Sequence, residues 1–387
     1  MTGVGAQDGA ARRTRVVVDT DAIRDNVAVL LQRAAGAQVM AVVKADGYGH
    51  GLLPSSRAAV AGGASWLGVA FLEEALALRA AGLQVPVLAW LYSPLEDLAP
   101  PVAAGIDLGV YDVSQLLRAQ AAAAATGRTA RIQLKVDTGL SRGGATPAQW
   151  PDLCEAAAKA EAAGGVQVTG LWSHFAFADG GPDHEVNLGQ AAVFAEALEV
   201  ADRAGLRPEV RHLANSAATL TAPATHYDLV RPGLAVYGLS PVPQLGRPAA
   251  FGLRPAMSLR STVALVKRVP AGAGVSYRHR YTTSRETTLA LVPLGYADGV
   301  PRSATNTVEV LLGGRRRRVA GTVCMDQFVL DVGDDEVAAG DEVLLFGPGD
   351  DGEPTAQEWA DALDTIDYEI VSRVGARVPR EHVGEFA

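Results

Sequence analysis

Thiols are scarce: Cys154 and Cys324 are the two cysteines of the 387 residues, far apart and without CxxC or metal-ligand spacing. This excludes a disulfide-dense scaffold and fits a reducing compartment. Seven histidines include no i,i+4 pair of zinc type, so no metal is expected. No apolar run approaches the roughly 20 residues that a membrane-spanning helix needs, and residues 1–15 lack the apolar core of a secretory signal. Positive charge is in deficit, with 34 Lys+Arg against 43 Asp+Glu and a net charge of −9. Such a balance repels phosphate backbones and anionic lipid. Neither nucleic-acid nor membrane binding is expected, and the chain reads as cytoplasmic. What remains, 48% hydrophobic and 20% charged residues, is the composition of a folded protein and disfavours disordered, collagen-like and coiled-coil chains. The length predicts two domains, or one large barrel with a smaller module.

From about residue 38, short Val/Ile/Leu-rich runs alternate with Ala-rich segments of helical spacing. Eight strands are expected, at Val39–Lys44, Trp66–Ala70, Val85–Trp90, Asp107–Tyr111, Arg131–Asp137, Val166–His174, Val210–Leu213 and Leu229–Tyr237. Helices are expected at Glu73–Ala81, Pro147–Ala163 and Gln190–Ala204, each followed by a glycine suited to a left-handed C-cap, and on propensity at Ala119–Ala125. Strands apolar on both faces and joined by helices imply a parallel sheet, and eight βα units match a closed TIM-type (β/α)8 barrel. An open doubly wound sheet is the alternative.

Past Pro255 alternation replaces helical spacing, at Thr262–Arg268, Thr288–Pro293, Thr307–Leu312, Val319–Cys324, Phe328–Val332 and Glu342–Phe346. A mostly-β domain follows the barrel, the expected bounds being 14–250 and 251–387. Arg15–Asp19 reads as a further strand able to pair with the C-terminal sheet. Gly313-Gly314 marks a hairpin, and the four arginines after it read as a solvated strand.

Barrel active sites lie at the C-terminal ends of the strands. The first strand ends in Lys44, followed by a glycine-rich turn; a lysine there is poised to enter a cavity where desolvation makes it nucleophilic toward aldehydes, although position alone favours an ordinary exposed lysine before a turn. The string VKADGYGHG from Val43 resembles the pyridoxal-phosphate attachment motif of the alanine racemases, in which the lysine carries the cofactor as a Schiff base. KVDTGLSR, SHFA, RHLANSAATL, RPGLAVYG, GVSY, GYADG, CMDQ and TIDYEI follow in family order, up to Ile370. Agreement over nine separated strings is far more specific than one short pattern.

The resemblance implies an alanine racemase fold and activity, interconverting L- and D-alanine with pyridoxal 5'-phosphate to supply D-alanine for peptidoglycan. It assigns Lys44 and Tyr277 as two acid/base groups. Tyrosine ionises near 10, so base action at neutral pH calls for a neighbouring donor or cation. Tyr48, Asn215, Ser216, Gly233, Leu234 and Tyr368 supply the backbone N–H and hydroxyl donors that a phosphate needs, and by resemblance hold it. Arg231 is expected to donate to the pyridine nitrogen and weaken the cofactor as an electron sink, with His212 orienting it and His174 beside the ring. Arg142 is expected to contact the phenolic oxygen and the substrate carboxylate, and Met325 to offer that carboxylate a backbone N–H. Lys135 matches a position often carbamylated in the family, where an anion would hold Arg142. Asp179, Tyr296 and Arg302, with Tyr368, resemble an entrance corridor. The assembly implied is a homodimer with shared sites, Tyr277 and Met325 coming from the partner chain.

A related decarboxylase would carry an EPGR-like string and a GGG loop, and neither occurs. A barrel-only pyridoxal-phosphate carrier would lack the residues after Pro255, and an interaction module finds no charge stripe or aromatic platform. Trp90-Leu-Tyr stands where small residues are expected, and residues before Lys44 and Arg247–Arg254 match no motif. Alanine against serine preference stays open.

Overall fold

Residues buried on both faces of a strand need cover on both sides, and this decides the architecture of the middle of the chain. The computed structural model describes residues 13–387. Its contacts divide the chain at Pro255 into a barrel unit, Thr20–Pro255, and a β unit, which joins Ala256–Glu385 to the chain up to Asp19.

After the N-terminal strand β1 (Thr14–Asp19), the barrel unit contains β2 (Gln38–Val42), β3 (Trp66–Val69), β4 (Val87–Ala89), β5 (Asp107–Val110), β6 (Ala130–Lys135), β7 (Val166–Trp172), β8 (Val210–His212) and β9 (Leu229–Val230). These pair in the order β8-β7-β6-β5-β4-β3-β2-β9, all parallel. The ring closes between β8 and β9, where Asp228 N–H donates to Arg211 O at 3.1 Å and Arg231 N–H to Ala214 O at 2.9 Å. The barrel is closed, not an open doubly wound sheet. The glycines expected as caps, Gly82, Gly164 and Gly205, follow their helices at φ +84°, +79° and +91°, the left-handed conformation that costs glycine no Cβ clash.

All eight barrel strands are shorter than expected, the third covering only Val87–Ala89. The first stops at Val42, and Lys44 opens a turn. The last stops at Val230, because Pro232 has no N–H to give a ladder, and Leu234–Tyr237 is a 3-10 turn. The helix expected to begin at Gln190 starts at Glu185, where His184 caps it by accepting from Val186 N–H.

In the β unit, β1 pairs antiparallel with Met257–Thr262 and parallel with Arg380–Val383 inside a six-stranded sheet, as the pattern at Arg15–Asp19 predicts. The expected strand Thr262–Arg268 is two, Met257–Thr262 and Leu265–Val269, in different sheets. Val319–Cys324 is no strand and contributes one bridge, Val319 to Leu330. Arg315–Arg318 pairs with Glu309–Leu312 across the Gly313-Gly314 hairpin, and its arginines meet Asp335, Glu358 and Glu309. Helices Ala356–Leu363 and Asp367–Ser372 were not expected. The first carries the signal that would have found it, Thr355-x-x-Glu358, which closes as a capping box. Among the described residues no helix is long and apolar enough to cross a membrane.

Asn26, buried on the first barrel helix (Thr20–Arg33), ties that helix to the end of the barrel unit. Its amide donates to Val236 O (3.2 Å) and Arg254 O (2.9 Å) and accepts from Arg254 N–H (2.8 Å). Asn26→Ala removes hydrogen bonds to one buried and two partly buried backbone groups and should cost about 2–4 kcal/mol, read as a lower urea midpoint for barrel unfolding.

Candidate active site

The chain leaves β2 through an unusual turn. Ala45, Asp46, Gly47 and Tyr48 all have left-handed φ, at +55°, +54°, +60° and +53°. For non-glycine residues this conformation costs roughly 1–2 kcal/mol each, so surrounding bonds must hold it. Glu74 does so from the neighbouring βα turn: one carboxylate oxygen accepts from Ala45 N–H at 2.6 Å, the other from Ala70 and Phe71 N–H at 3.0 and 3.1 Å. Asp46 accepts from Leu52 N–H at 2.8 Å. The turn leaves Lys44 Nζ 6.0 Å from the centroid of the Tyr48 ring.

Three neighbours from the end of the ring form a cradle. Asn215 accepts from Ala218 N–H at 3.1 Å and so caps the short helix Ser216–Thr221. The Ser216 hydroxyl accepts from the N–H of Gly233 at 2.8 Å and of Ala235 at 3.3 Å. Gly233 allows close approach: a Cβ there would stand 2.3 Å from the Tyr48 hydroxyl. Tyr48, Ser216, Gly233 and Leu234 therefore converge, although Tyr48 lies far from the others in sequence.

Beside them Arg231 is 5% exposed, with no carboxylate among its hydrogen-bond partners. Nη1 donates to His212 Nδ1 at 2.9 Å; Nη2 donates to Ser173 O at 2.7 Å and lies 3.2 Å from His174 Nδ1 and 3.3 Å from Leu213 O. Among the described residues Nε donates to nothing. Desolvation brings the Arg231 pKa down to about 9, and burial followed by the Arg231 charge holds both histidines well below the usual imidazole value. Each presents Nδ1 to the guanidinium, which can only donate.

Lys135, at the end of β6, is buried between the rings of Trp172 (4.8 Å) and Tyr111 (5.2 Å). Desolvation first, then Arg142 and Arg231, lower its pKa to about 8. Desolvation and Arg142 also lower that of Lys44, against a smaller opposing pull from Glu74. Arg142 is exposed, at the end of a loop whose Gly139, Leu140 and Ser141 N–H groups all donate to Asp137. Asp179 is exposed too, its carbonyl accepting from Gln244.

The other expected residues belong to the β unit. Tyr277 is 70% exposed, with Ser276, Arg278 and His279 around it all at positive φ. Thr322 Oγ1 donates to its carbonyl at 2.8 Å. Met325 and Tyr296 are exposed on adjoining backbone, Tyr296 N–H donating to Cys324 O at 3.1 Å, and Arg302 opens a short 3-10 turn. Tyr368 is half-buried and follows Asp367, whose carboxyl is pushed up to about 7 by burial.

Residues 18–241 match the profile described as alanine racemase, N-terminal domain, and residues 256–382 that of the C-terminal domain. The chain belongs to the alanine racemase family. It is 67% identical over 379 residues to the alanine racemase of Frankia casuarinae, covering 98% of each chain, and 61% identical to that of Thermobifida fusca, covering 95% and 97%. The crystal structure of alanine racemase from a D-cycloserine-producing Streptomyces lavendulae superposes with a TM-score of 0.96 at 54% identity, over 97% of this chain and 98% of that one.

Sequence reasoning missed Glu74, Gln133 and Asp107. The last two carried a signal: Gln133 is a polar residue inside a strand and Asp107 opens an otherwise apolar one, and a polar group buried there needs a partner. Trp90, which broke the expected pattern, fits because its neighbours are glycines. A Cβ on Gly68 would meet its ring at 2.9 Å, and one on Gly109 its Cα at 3.0 Å.

Removing the Arg142 charge favours the protonated form of both nearby lysines. Arg142→Gln should therefore raise the titration midpoints of Lys135 and Lys44, followed by 13Cε NMR of labelled lysine; unchanged midpoints would show that burial alone sets them.

Proposed function

We propose that the chain is a cytoplasmic alanine racemase that interconverts L- and D-alanine for peptidoglycan synthesis, with pyridoxal 5'-phosphate held on Lys44. The observation that carries this reading is Arg231: a buried guanidinium bonded only to neutral acceptors, with Nε left over, suits a neutral ring nitrogen. The Tyr48–Ser216–Gly233 cradle, which a Cβ would fill, supports a phosphate held there with Asn215 and Leu234; for Tyr368 that role rests on the family resemblance alone. Pyridoxal phosphate, when bound, acidifies the α-C–H of an amino acid by drawing off the electron pair that proton removal leaves.

The residues divide the remaining work. Arg231, a lasting cation, would keep a proton off a ring nitrogen bound beside it and so restrain side reactions. His212 and His174 orient it. Arg142 binds the substrate carboxylate and the phenolic oxygen, and the Met325 N–H of the partner subunit completes the carboxylate site. Lys135, with its pKa near 8, holds enough free amine to add carbon dioxide with loss of a proton; the carbamate would pair with Arg142. Inversion needs a proton removed on one face and returned on the other. Lys44 Nζ, free as an amine once the substrate's amino group has replaced it on the cofactor, would serve the α-proton of D-alanine, and Oη of Tyr277 of the partner subunit that of L-alanine. Asp179, Tyr296, Arg302 and Tyr368 line the approach.

Tyr277→Phe should lower racemisation at least about 10²-fold, and in deuterium oxide α-proton exchange from D-alanine should suffer less than exchange from L-alanine. Equal losses would favour a single base. For the homodimer with shared sites, mixing inactive Lys44→Ala and Tyr277→Phe chains should restore activity, since one site of each heterodimer holds both residues. No recovery despite proven subunit exchange would place the site within one chain.

A further inference from the structure

A continuous line of hydrogen bonds runs through the barrel interior below Arg231. His212 Nε2 lies 2.8 Å from Gln133 Oε1, and Gln133 Nε2 donates to Asp107 Oδ2 at 3.0 Å. Asp107 also accepts from Thr169 Oγ1 at 2.5 Å and Arg131 Nε at 2.7 Å. Asp107, Gln133, Thr169 and His212 are all fully buried.

The two ends of the line are chemically one-sided. A guanidinium can only donate and a carboxylate can only accept. Between them stand an imidazole and an amide, each able to face either way, and one arrangement alone satisfies every link. Arg231 donates to Nδ1 of His212, Nε2–H of His212 donates to Gln133, and the Gln133 amide donates to Asp107. We propose that Gln133 and Asp107 are positioning residues that lock His212 in the Nε2–H tautomer and so keep its Nδ1 lone pair on Arg231. The donors run in one direction from cation to anion, so each bond polarises the next.

Asp107→Asn keeps the shape and breaks this logic. With its oxygen kept on Arg131, the new amide presents N–H groups to Gln133, which must turn its own oxygen down and its amide up. Thr169 accommodates the change by turning its hydroxyl to Ile132 O, 3.1 Å away. His212 then faces donors at both nitrogens and must give up one bond.

The effect on turnover rests on the racemase reading above; the tautomer does not. In the purified full-length protein with 15N-labelled histidine, His212 is assigned through its contacts with Trp172, whose ring stacks on it at 5.8 Å. Long-range 1H–15N correlations should show it protonated on Nε2. Asp107→Asn should introduce the Nδ1–H form and lower kcat about 10- to 100-fold, leaving the KM for alanine within about twofold. Thr169→Val, which removes another bond to Asp107 outside the line, should change neither reading. An unaltered His212 tautomer in Asp107→Asn, or the same tautomer change in Thr169→Val, would overturn the proposal. Should Asp107→Asn fail to fold, Gln133→Met decides: faster exchange of the Nε2 proton with a lower kcat supports the lock, and an unchanged kcat refutes it. If the parent protein does not racemise alanine, the racemase reading falls while the tautomer measurement still decides this one.

Discussion

Burying a guanidinium without a carboxylate beside it is costly, and the barrel is arranged around meeting that cost at Arg231. Its acceptors come from the ends of successive strands: Ser173 and His174 beyond β7, His212 and Leu213 at β8. The backbone of the same residue closes the ring by donating to Ala214 O. Barrel closure and satisfaction of the arginine are therefore one event. An open sheet would leave the guanidinium short of its acceptors.

A second constraint acts on the opposite side of the closing seam. The left-handed turn after Lys44 stores backbone strain, and such strain persists only where its surroundings over-determine it. Glu74 supplies much of that determination, because one carboxylate joins the turn to the end of β3 and the start of the next helix. The lysine is thereby carried by a segment with little freedom of its own.

Charge is distributed against the average. The chain carries −9 overall, yet Lys44, Lys135, Arg142 and Arg231 gather in one region, where burial first, then the charge of Arg142 and, for Lys135, also of Arg231, lowers the pKa values of the lysines. A local positive field in a low-dielectric mouth draws anions such as a phosphate or a carboxylate, while the acidic exterior repels polyanions.

How much of this could be read from the chain differs by kind of information. Alternating βα periodicity was enough for the barrel, since apolar pattern and cap glycines are local. The nine motif strings identified the family and named Lys44, Tyr48 and Arg231 among its site residues. Local pattern failed where tertiary partners overrule it. Pro232 ended a strand that apolar residues alone would have continued, and Thr355-Glu358 started a helix in a domain read as β. Trp90 looked like a misfit until Gly68 and Gly109 were seen to leave it room. The line from Arg231 to Asp107 was out of reach altogether, because it joins residues on three different strands to one just beyond a fourth, and they meet only when the ring closes. Sequence by itself determined which donors, acceptors and apolar faces were available. Only the tertiary structure decided which donor faces which acceptor, because a hydrogen bond depends on distance and direction, and residues far apart in the chain acquire both only on folding.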